Sequence, residues 1–213
     1  TIAVQCCSRA ELESEDTVMI IGSGALGSSI LRIVKLYNPK AIIVTDIDDA
    51  KLEEAKKNGA TYTINSLKED VPAKAHELTE GYGPTVTIDA ACVKGSLLTA
   101  LQATGNAGRV ITMGFSVAPT EVNQFVITSK ELDVRGSRLQ NRKFQDVIDL
   151  VNEGKVDLRG SMTLNQLRGA LARRGVAAKA AGGRPWSSRN TVGLSRVPNS
   201  PSVFSIILPL GVV

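Results

Sequence analysis

The stretch that decides the fold is VMIIGSGALGSSILRIVKLYN, residues 18–38. It begins with an apolar run, passes through Gly22, Gly24 and Gly27, and continues with apolar residues at helical spacing. This order predicts a buried strand, a glycine turn and a helix. A missing side chain adds nothing to a hydrophobic core, so the glycines indicate that another group approaches the backbone at this turn.

The rest of the first 162 residues alternates in the same way between short apolar runs and amphipathic segments. The apolar runs are almost continuous, as expected for strands of a parallel sheet that is covered on both faces. We therefore predict an α/β fold, a Rossmann-type doubly wound parallel sheet of about six strands with helices on both faces. The predicted strands are 17–21, 41–46, 61–64, 85–89, 109–114 and 132–138, and the predicted helices are 2–12, 25–37, 49–58, 68–80, 93–103 and 142–152.

The composition changes after residue 162, where acidic residues disappear. Residues 163–213 hold seven of the 25 Lys and Arg residues and none of the 21 Asp and Glu residues. We predict an α/β domain at 1–162 followed by an atypical basic tail at 163–213. The tail is either disordered or foreign to the domain, for example the product of a shifted reading frame or of a fusion.

Composition also argues against several classes of protein. The most apolar segment, VFSIILPLGVV, has eleven residues, fewer than the ~20 that a membrane-spanning helix needs. The N-terminus lacks the order of a signal peptide and an initiator methionine, so we expect the chain to begin partway through a longer protein. Three cysteines without a Cys-x-x-Cys pair argue against a disulfide framework and a structural zinc site. A reducing, cytoplasmic compartment fits this cysteine usage.

The spacing Gly22-x-Gly24-x-x-Gly27, between a predicted strand and a predicted helix, is typical of dinucleotide binding. In this motif the first glycine allows the sharp turn, the second lets a pyrophosphate approach the backbone, and the third lets the helix pack closely. The N-terminus of the helix attracts the phosphates. The motif alone is a weak signal, because glycines at strand-to-helix turns also serve packing.

Asp46 strengthens this interpretation. It ends the second predicted strand, 19 residues after Gly27, close to the ~20 expected for the acid that binds the ribose. Its carboxylate can accept both adenosine ribose hydroxyls and would repel a 2′-phosphate, and Ile47 rather than an arginine follows it. The sequence therefore favours NAD over NADP. Asp48 and Asp49 are assigned to the start of the next helix.

With these motifs in place, the chain resembles the zinc-type medium-chain alcohol and polyol dehydrogenases, specifically their cofactor-binding domain, over roughly residues 1–163. The segment ELDVRGSRLQNRKFQDVIDLVNEGKV looks most like the branch that acts on sorbitol and on sugar acids such as galactonate. The resemblance implies the NAD-binding domain of an enzyme that transfers a hydride between NAD and a secondary alcohol. The similar segments are DTVMIIGSGALG, IIVTDIDDAKLEEAKKNGAT, ELTEGYGPTVTIDA, GRVITMGF and ELDVRGSRLQNRKFQDVIDLVNEGKV.

The resemblance also implies further cofactor contacts. Lys51 matches a position that contacts the adenosine ribose, with a solvated helix lysine as the alternative. Residues 113–115 match the end of the fifth strand, where backbone groups meet the nicotinamide carboxamide. Residues 137–138 match a stretch beside the nicotinamide, although Arg138 could equally be a surface residue. Cys92 stands where family members usually have glycine. The predicted cofactor-binding residues are Gly22, Gly24, Ala25, Leu26, Gly27, Asp46, Lys51, Met113, Gly114, Phe115, Ser137 and Arg138.

Hydride transfer in this family uses a second domain, whose catalytic zinc is held by Cys, His and Glu ligands. This chain has no Gly-His-Glu motif, and its single histidine, His76, is assigned to a helix surface. Cys6 and Cys7 are adjacent on a helix and cannot jointly hold a metal. We therefore predict no catalytic or metal-ligating residue here and no turnover by the chain alone. The resemblance implies a homo-oligomer, a dimer formed through the segment after the fifth strand.

Three other hypotheses stay open. A truncated or frame-shifted, non-catalytic NAD-binding module would share the fold and ancestry. An NAD-responsive or nucleic-acid-associated protein would use the basic tail, but only Trp186 and Phe204 are aromatic there, which argues against nucleic acid. A methyltransferase on a similar sheet would also use a glycine-rich loop and an acid, but the intact glycine spacing and the later dehydrogenase-like segments disfavour it. No membrane partner is expected.

Overall fold

The computed structural model describes residues 1–139 and 141–156. These residues form a six-stranded parallel sheet in the order β3-β2-β1-β4-β5-β6, which confirms the predicted doubly wound α/β fold. The predicted boundary at residue 162 and the basic tail lie outside the described residues. The strands are β1 (Thr17–Ile21), β2 (Ala41–Asp46), β3 (Tyr62–Asn65), β4 (Val86–Asp89), β5 (Arg109–Thr112) and β6 (Asp133–Gly136). The helices are α1 (Ile2–Ala10), α2 (Ala25–Val34), α3 (Asp49–Lys57), α4 (Val71–Glu77), α5 (Ser96–Ala103), α6 (Gln124–Thr128) and α7 (Phe144–Asn152).

Both faces of the sheet are buried at its four central strands, β2, β1, β4 and β5, which explains why apolar residues dominate these strands. In β1, Val18 and Ile20 belong to the core that packs against α1, α2 and α3. Met19 and Ile21, which alternate with them, belong to the core on the opposite face, under α4 and α5. Strands with one solvated face would instead show an alternation of apolar and polar residues.

The boundaries of β1 and β2 agree with the sequence prediction, whereas several helices begin later than predicted. The helix α4 begins at Val71 rather than at residue 68, because the Asp70 side chain accepts a hydrogen bond from the backbone N–H of Ala73 and caps the helix. The helix α5 begins at Ser96 rather than at residue 93. The five-residue helix α6 was not predicted, since so short a segment carries little periodic signal.

Arg109, the first residue of β5, connects the amino ends of the strands to the end of α1. Its guanidinium donates to the carbonyl oxygens of Ala10 and Glu11 at the end of α1, at 2.8 Å and 2.5 Å. It also forms an ion pair with the buried Asp16, with 2.5 Å between Nη2 and Oδ1. These bonds satisfy helix carbonyls that would otherwise lack partners. They fix α1 against the strand β5.

Within the described residues, no helix combines the length and the apolarity needed to cross a membrane. The three thiols are free, with Cys6 and Cys7 buried and Cys92 half-buried. Burial raises the pKa of the Cys6 thiol to about 12 and that of Cys92 to about 11. Both groups are therefore protonated, and weak nucleophiles, at neutral pH.

Candidate functional site

The candidate site lies at the carboxyl ends of the strands, where the strand order reverses between β1 and β4. The end of β1, the end of β2 and the loop after β4 (residues 90–95) enclose a cleft of ≈ 680 Å³ there. In doubly wound sheets this reversal opens a crevice, because the connections leave the two neighbouring strands in opposite directions. The fold thus places the glycine turn and Asp46 at one opening.

Two of the three glycines are required by the protein itself. Gly22 has φ +92°, and its N–H donates to the carbonyl oxygen of Thr45 at 2.7 Å. A Cβ on Gly22 would lie 3.1 Å from three atoms of Ala91. A Cβ on Gly27 would lie only 1.8 Å from the carbonyl oxygen of Gly22, so the helix α2 could not pack on the turn. These two positions would need glycine whether or not a ligand binds.

Gly24 has no such requirement. Its φ of −70° suits any residue, and a Cβ there would have no atom of the described residues within 4 Å. It caps the ten-residue helix α2 and lines the cleft. The open space at Gly24 therefore lies at the N-terminus of α2, where free N–H groups and the helix dipole favour an anion. The binding of a dinucleotide pyrophosphate there stays a prediction.

Asp46 connects the glycine turn to the end of β2. Its Oδ2 accepts the N–H of Ser23 at 2.7 Å, and its Oδ1 accepts the N–H groups of Ile47 and Asp48 at 2.9 Å and 3.1 Å. The Lys51 ammonium lies 3.4 Å from Oδ1. The carboxylate is nearly buried yet forms part of the lining of the cleft.

The structure gives Lys51 a specific partner. Its contact with Asp46 and its position in the cleft lining distinguish it from a lysine that meets only solvent. Its role as a ribose contact stays a prediction. Ala25 and Leu26 line a different space, an apolar cavity of ≈ 360 Å³ formed with residues of α1 and α7. Their backbone N–H groups, rather than their side chains, remain the candidates for contact with a phosphate.

The residues predicted beside the nicotinamide lie at the carboxyl ends of β5 and β6 and outside the lining of the cleft. Met113 is buried in the core, whereas Gly114 is exposed and has open space where a Cβ would be. The Arg138 guanidinium lies 5.6 Å from the centre of the exposed Phe115 ring, a cation–π contact. Ser137 is buried, and its hydroxyl has no hydrogen-bond partner among the described residues. These assignments stay predictions.

Sequence reasoning missed two apolar side chains that flank the cleft. Ile47 follows β2 and is 60% exposed, and Val93 follows β4 and is 65% exposed. Both line the cleft. Exposed β-branched residues at a cleft are suited to an apolar ring. The position of Ile47 directly after Asp46 was a signal that could have predicted its place at the cleft. Nothing in the sequence marked Val93 as a cleft residue.

Cys92 adopts φ +53°, in the left-handed region. A residue other than glycine pays about 1 kcal/mol there. This conformation would suit a glycine better than a cysteine. The Cys92 N–H donates to Oδ1 of Asp89 at 3.0 Å, which holds the turn in place.

Metal ligands are not grouped in the part of the chain that the structure describes. No set of three or more His, Cys, Asp or Glu residues there is arranged to hold an ion. The ring nitrogens of His76 lie 3.0 Å and 3.4 Å from the carbonyl oxygens of Gly81 and Gln102. The imidazole thus has backbone partners at the end of α4.

Comparison with known proteins decides the family. The family model described as zinc-binding dehydrogenase matches residues 25–153. The chain belongs to this family. The match confirms the resemblance to zinc-type dehydrogenases, and it extends from the first turn of α2 to the end of α7.

Individual relatives in this family show how much of a full-length protein the chain matches. The starvation-sensing protein RspB of Escherichia coli K12 is 39% identical over 157 residues, which are 73% of this chain and 46% of that protein. Sorbitol dehydrogenase of Bacillus subtilis is 27% identical over 178 residues, covering 81% of this chain and 50% of that enzyme. The chain therefore spans about half the length of the curated relatives it matches.

A solved relative contains a cofactor. The crystal structure of the RspB alcohol dehydrogenase from Escherichia coli CFT073, complexed with NADH, is 34% identical and superposes with a TM-score of 0.71. The superposition covers 84% of this chain and 54% of that one. The alcohol dehydrogenase of Thermus sp. ATN1 superposes with a TM-score of 0.73 at 21% identity and supports the fold alone.

Proposed function

We propose that this chain is the NAD-binding domain of a zinc-dependent alcohol, polyol or sugar-acid dehydrogenase. The observation that carries the proposal is the open space at Gly24, beside the first turn of α2 and at the reversal of strand order. The NADH bound to the RspB structure supports it. In this proposal the N–H groups of the glycine turn and of the helix start bind the pyrophosphate.

The adenosine half of NAD would occupy the cleft of ≈ 680 Å³. Asp46 would accept the two ribose hydroxyls, with Lys51 beside it. Adenine would lie between the exposed side chains of Ile47 and Val93. NAD is favoured over NADP, because a 2′-phosphate would meet the negative charge of Asp46 in a site that is partly shielded from water.

The nicotinamide half would extend to the carboxyl ends of β5 and β6. Bound NAD supplies the ring that accepts a hydride from an alcohol. Backbone groups of residues 113–115 would orient this ring, and Gly114 leaves space for it. In the proposed enzyme a zinc ion held by a second domain would act on the alcohol, so we expect no turnover by this chain alone.

We also propose the organisation and environment of the chain. Residues 1–162 would form the cofactor-binding unit, and residues 163–213 a basic tail appended to it. The three free thiols favour a reducing compartment, for which the cytoplasm is the simplest choice.

We propose a homodimer formed through β6. This strand pairs with β5 on one side, and no second pairing occurs within the described residues. Val134 of β6 is 39% exposed, and Phe125 of α6, in the segment between β5 and β6, is 70% exposed. An unpaired strand edge favours association with another strand.

The dimer is tested by sedimentation velocity. The substitution Val134→Lys should produce monomers, because a lysine at a strand edge opposes pairing. Ile148→Lys, at an exposed apolar position on α7, is the matched control and should leave the wild-type distribution unchanged. A wild-type chain that sediments as a monomer at high micromolar concentration would contradict the proposal.

Calorimetric titration of the purified chain tests the proposed cofactor. We expect one NAD per chain and at least about tenfold weaker binding of NADP, since an added phosphate would face an anion. Titration with S-adenosylmethionine addresses the methyltransferase alternative and should give no heat of binding. A folded chain that binds neither dinucleotide would refute the proposal.

A further inference from the structure

The loop of residues 90–95, between β4 and α5, forms the wall of the cleft that faces the glycine turn. Ala91 lies so close to Gly22 that a Cβ there would come within 3.1 Å of three of its atoms. Val93 and Lys94 line the cleft directly. The position of this loop therefore decides the width of the space between the wall and the turn.

The loop is not held by regular structure. Cys92 has φ +53° and Gly95 has φ +88°, so two of its six residues adopt the left-handed conformation. The Cys92 conformation is one that side chains rarely adopt unless the surroundings impose it. A separate interaction must therefore keep the loop in this conformation.

Asp89, the last residue of β4, supplies that interaction. Its side chain is 2% exposed. Oδ1 accepts the N–H of Cys92 at 3.0 Å, and Oδ2 accepts the hydroxyl of Ser96 at 2.7 Å. The Ser96 hydroxyl oxygen also accepts the N–H of Val93 at 3.1 Å. One carboxylate thus binds the middle of the loop and its end at the first residue of α5.

The Asp89 carboxylate is buried without an ion-pair partner in the described part of the chain, which explains why it fixes the loop. No lysine or arginine of the described residues forms a salt bridge with Asp89. A buried anion without a cation depends on its hydrogen bonds. Moving Cys92 or Ser96 away would leave its charge unsolvated, so the loop is confined to positions that keep both bonds.

We propose that Asp89, acting with Ser96, is a positioning residue for cofactor binding: it sets the wall of residues 90–95 at the distance from the glycine turn that NAD requires. This inference rests on the proposed NAD-binding function. Asp89 itself would contact no cofactor, because it is buried and does not line the cleft.

Titration calorimetry on variants of the full chain tests the proposal. In Asp89→Ala both bonds are lost, and the NAD dissociation constant should rise about tenfold, since the loop is no longer preorganised. In Asp89→Asn the amide oxygen can still accept the Cys92 N–H and its NH₂ can donate to Ser96, so affinity should remain within about threefold of wild type. Ser96→Ala should fall between the two.

A matched control separates positioning from general stability. The hydroxyl of Thr104, at the end of α5, donates to the Thr87 hydroxyl in β4 at 2.8 Å, and both residues are fully buried. Thr104→Val removes a buried bond between the same two elements, away from the loop. It should lower the melting temperature and leave NAD affinity unchanged.

Each result has a definite reading. If wild type binds NAD and Asp89→Ala binds it equally well, or if Thr104→Val weakens binding as much as Asp89→Ala, the positioning role is refuted. If Asp89→Ala does not fold, the comparison of Ser96→Ala with Thr104→Val decides in the same way. Absence of NAD binding by wild type would instead refute the proposed function on which this inference rests.

Discussion

Replacing Gly24 with valine should weaken NAD binding strongly while the chain remains folded. The valine side chain would meet no described atom within 4 Å of its Cβ, but it would occupy the space beside the first turn of α2. We expect the NAD dissociation constant to rise by about 100-fold, as the phosphate hydrogen bonds are blocked. The free energy of unfolding should fall by about 1 kcal/mol, the penalty for valine at a helix N-cap.

Substitution of Gly27 should give the opposite result, a loss of stability, and serves as the control. A Cβ there would lie 1.8 Å from the carbonyl oxygen of Gly22, so Gly27→Ala should destabilise the chain by about 3 kcal/mol or more. Urea unfolding measures both variants, and calorimetry measures NAD binding by the folded ones. If Gly24→Val were as destabilised as Gly27→Ala, the Gly24 position would serve packing and the assignment of a phosphate site would be wrong.

Replacing Asp46 with serine should exchange the cofactor preference. Without the carboxylate the ribose hydroxyls lose their acceptor, and NAD binding should weaken about 30-fold. The N–H groups of Ser23, Ile47 and Asp48 and the Lys51 ammonium converge on the Asp46 carboxylate. In the variant these donors become available to a 2′-phosphate. The ratio of NADP to NAD affinity, measured by calorimetry, should therefore rise by about 100-fold.

The neighbouring Asp48 provides a control for overall charge. Its side chain caps α3 by accepting the N–H of Ala50 at 2.9 Å, and asparagine caps equally well. Asp48→Asn removes one negative charge two residues from the site and should leave the cofactor preference unchanged. An equal change of preference in Asp48→Asn would show that net charge, rather than the Asp46 site, selects the cofactor.

Much of the fold could be predicted because its signals are local. The strands β1 and β2 are buried on both faces, so their apolar runs, residues 18–21 and 41–44, mark where they lie in the sequence. The glycine turn and Asp46 were predictable for the same reason, since each lies at the end of a recognisable strand. The structure brings these two features together through the Ser23 N–H, a contact between residues 23 positions apart.

Other features of the site depend on contacts that no local pattern encodes. The start of α5 at Ser96 follows from the hold of Asp89 on the preceding loop, and sequence periodicity instead predicted helix from residue 93. Sequence also could not show that Gly24 differs from Gly22 and Gly27, because that difference is a matter of neighbouring atoms in space. Val93 lines the cleft because of the conformation of the loop of residues 90–95, which no local sequence pattern predicts.

The central claim is that NAD binds at the carboxyl ends of β1, β2 and β4. The most direct measurement is a titration of the ¹⁵N-labelled 22.6 kDa chain with NAD, followed by amide ¹H–¹⁵N correlation spectra. We predict the largest chemical-shift changes at the amides of Ser23, Gly24 and Ile47. We predict none at Glu11 or Asp16, which lie near the amino ends of the strands, away from the cleft. Shifts confined to the apolar cavity between α1, α2 and α7, or no shifts at saturating NAD, would contradict the account.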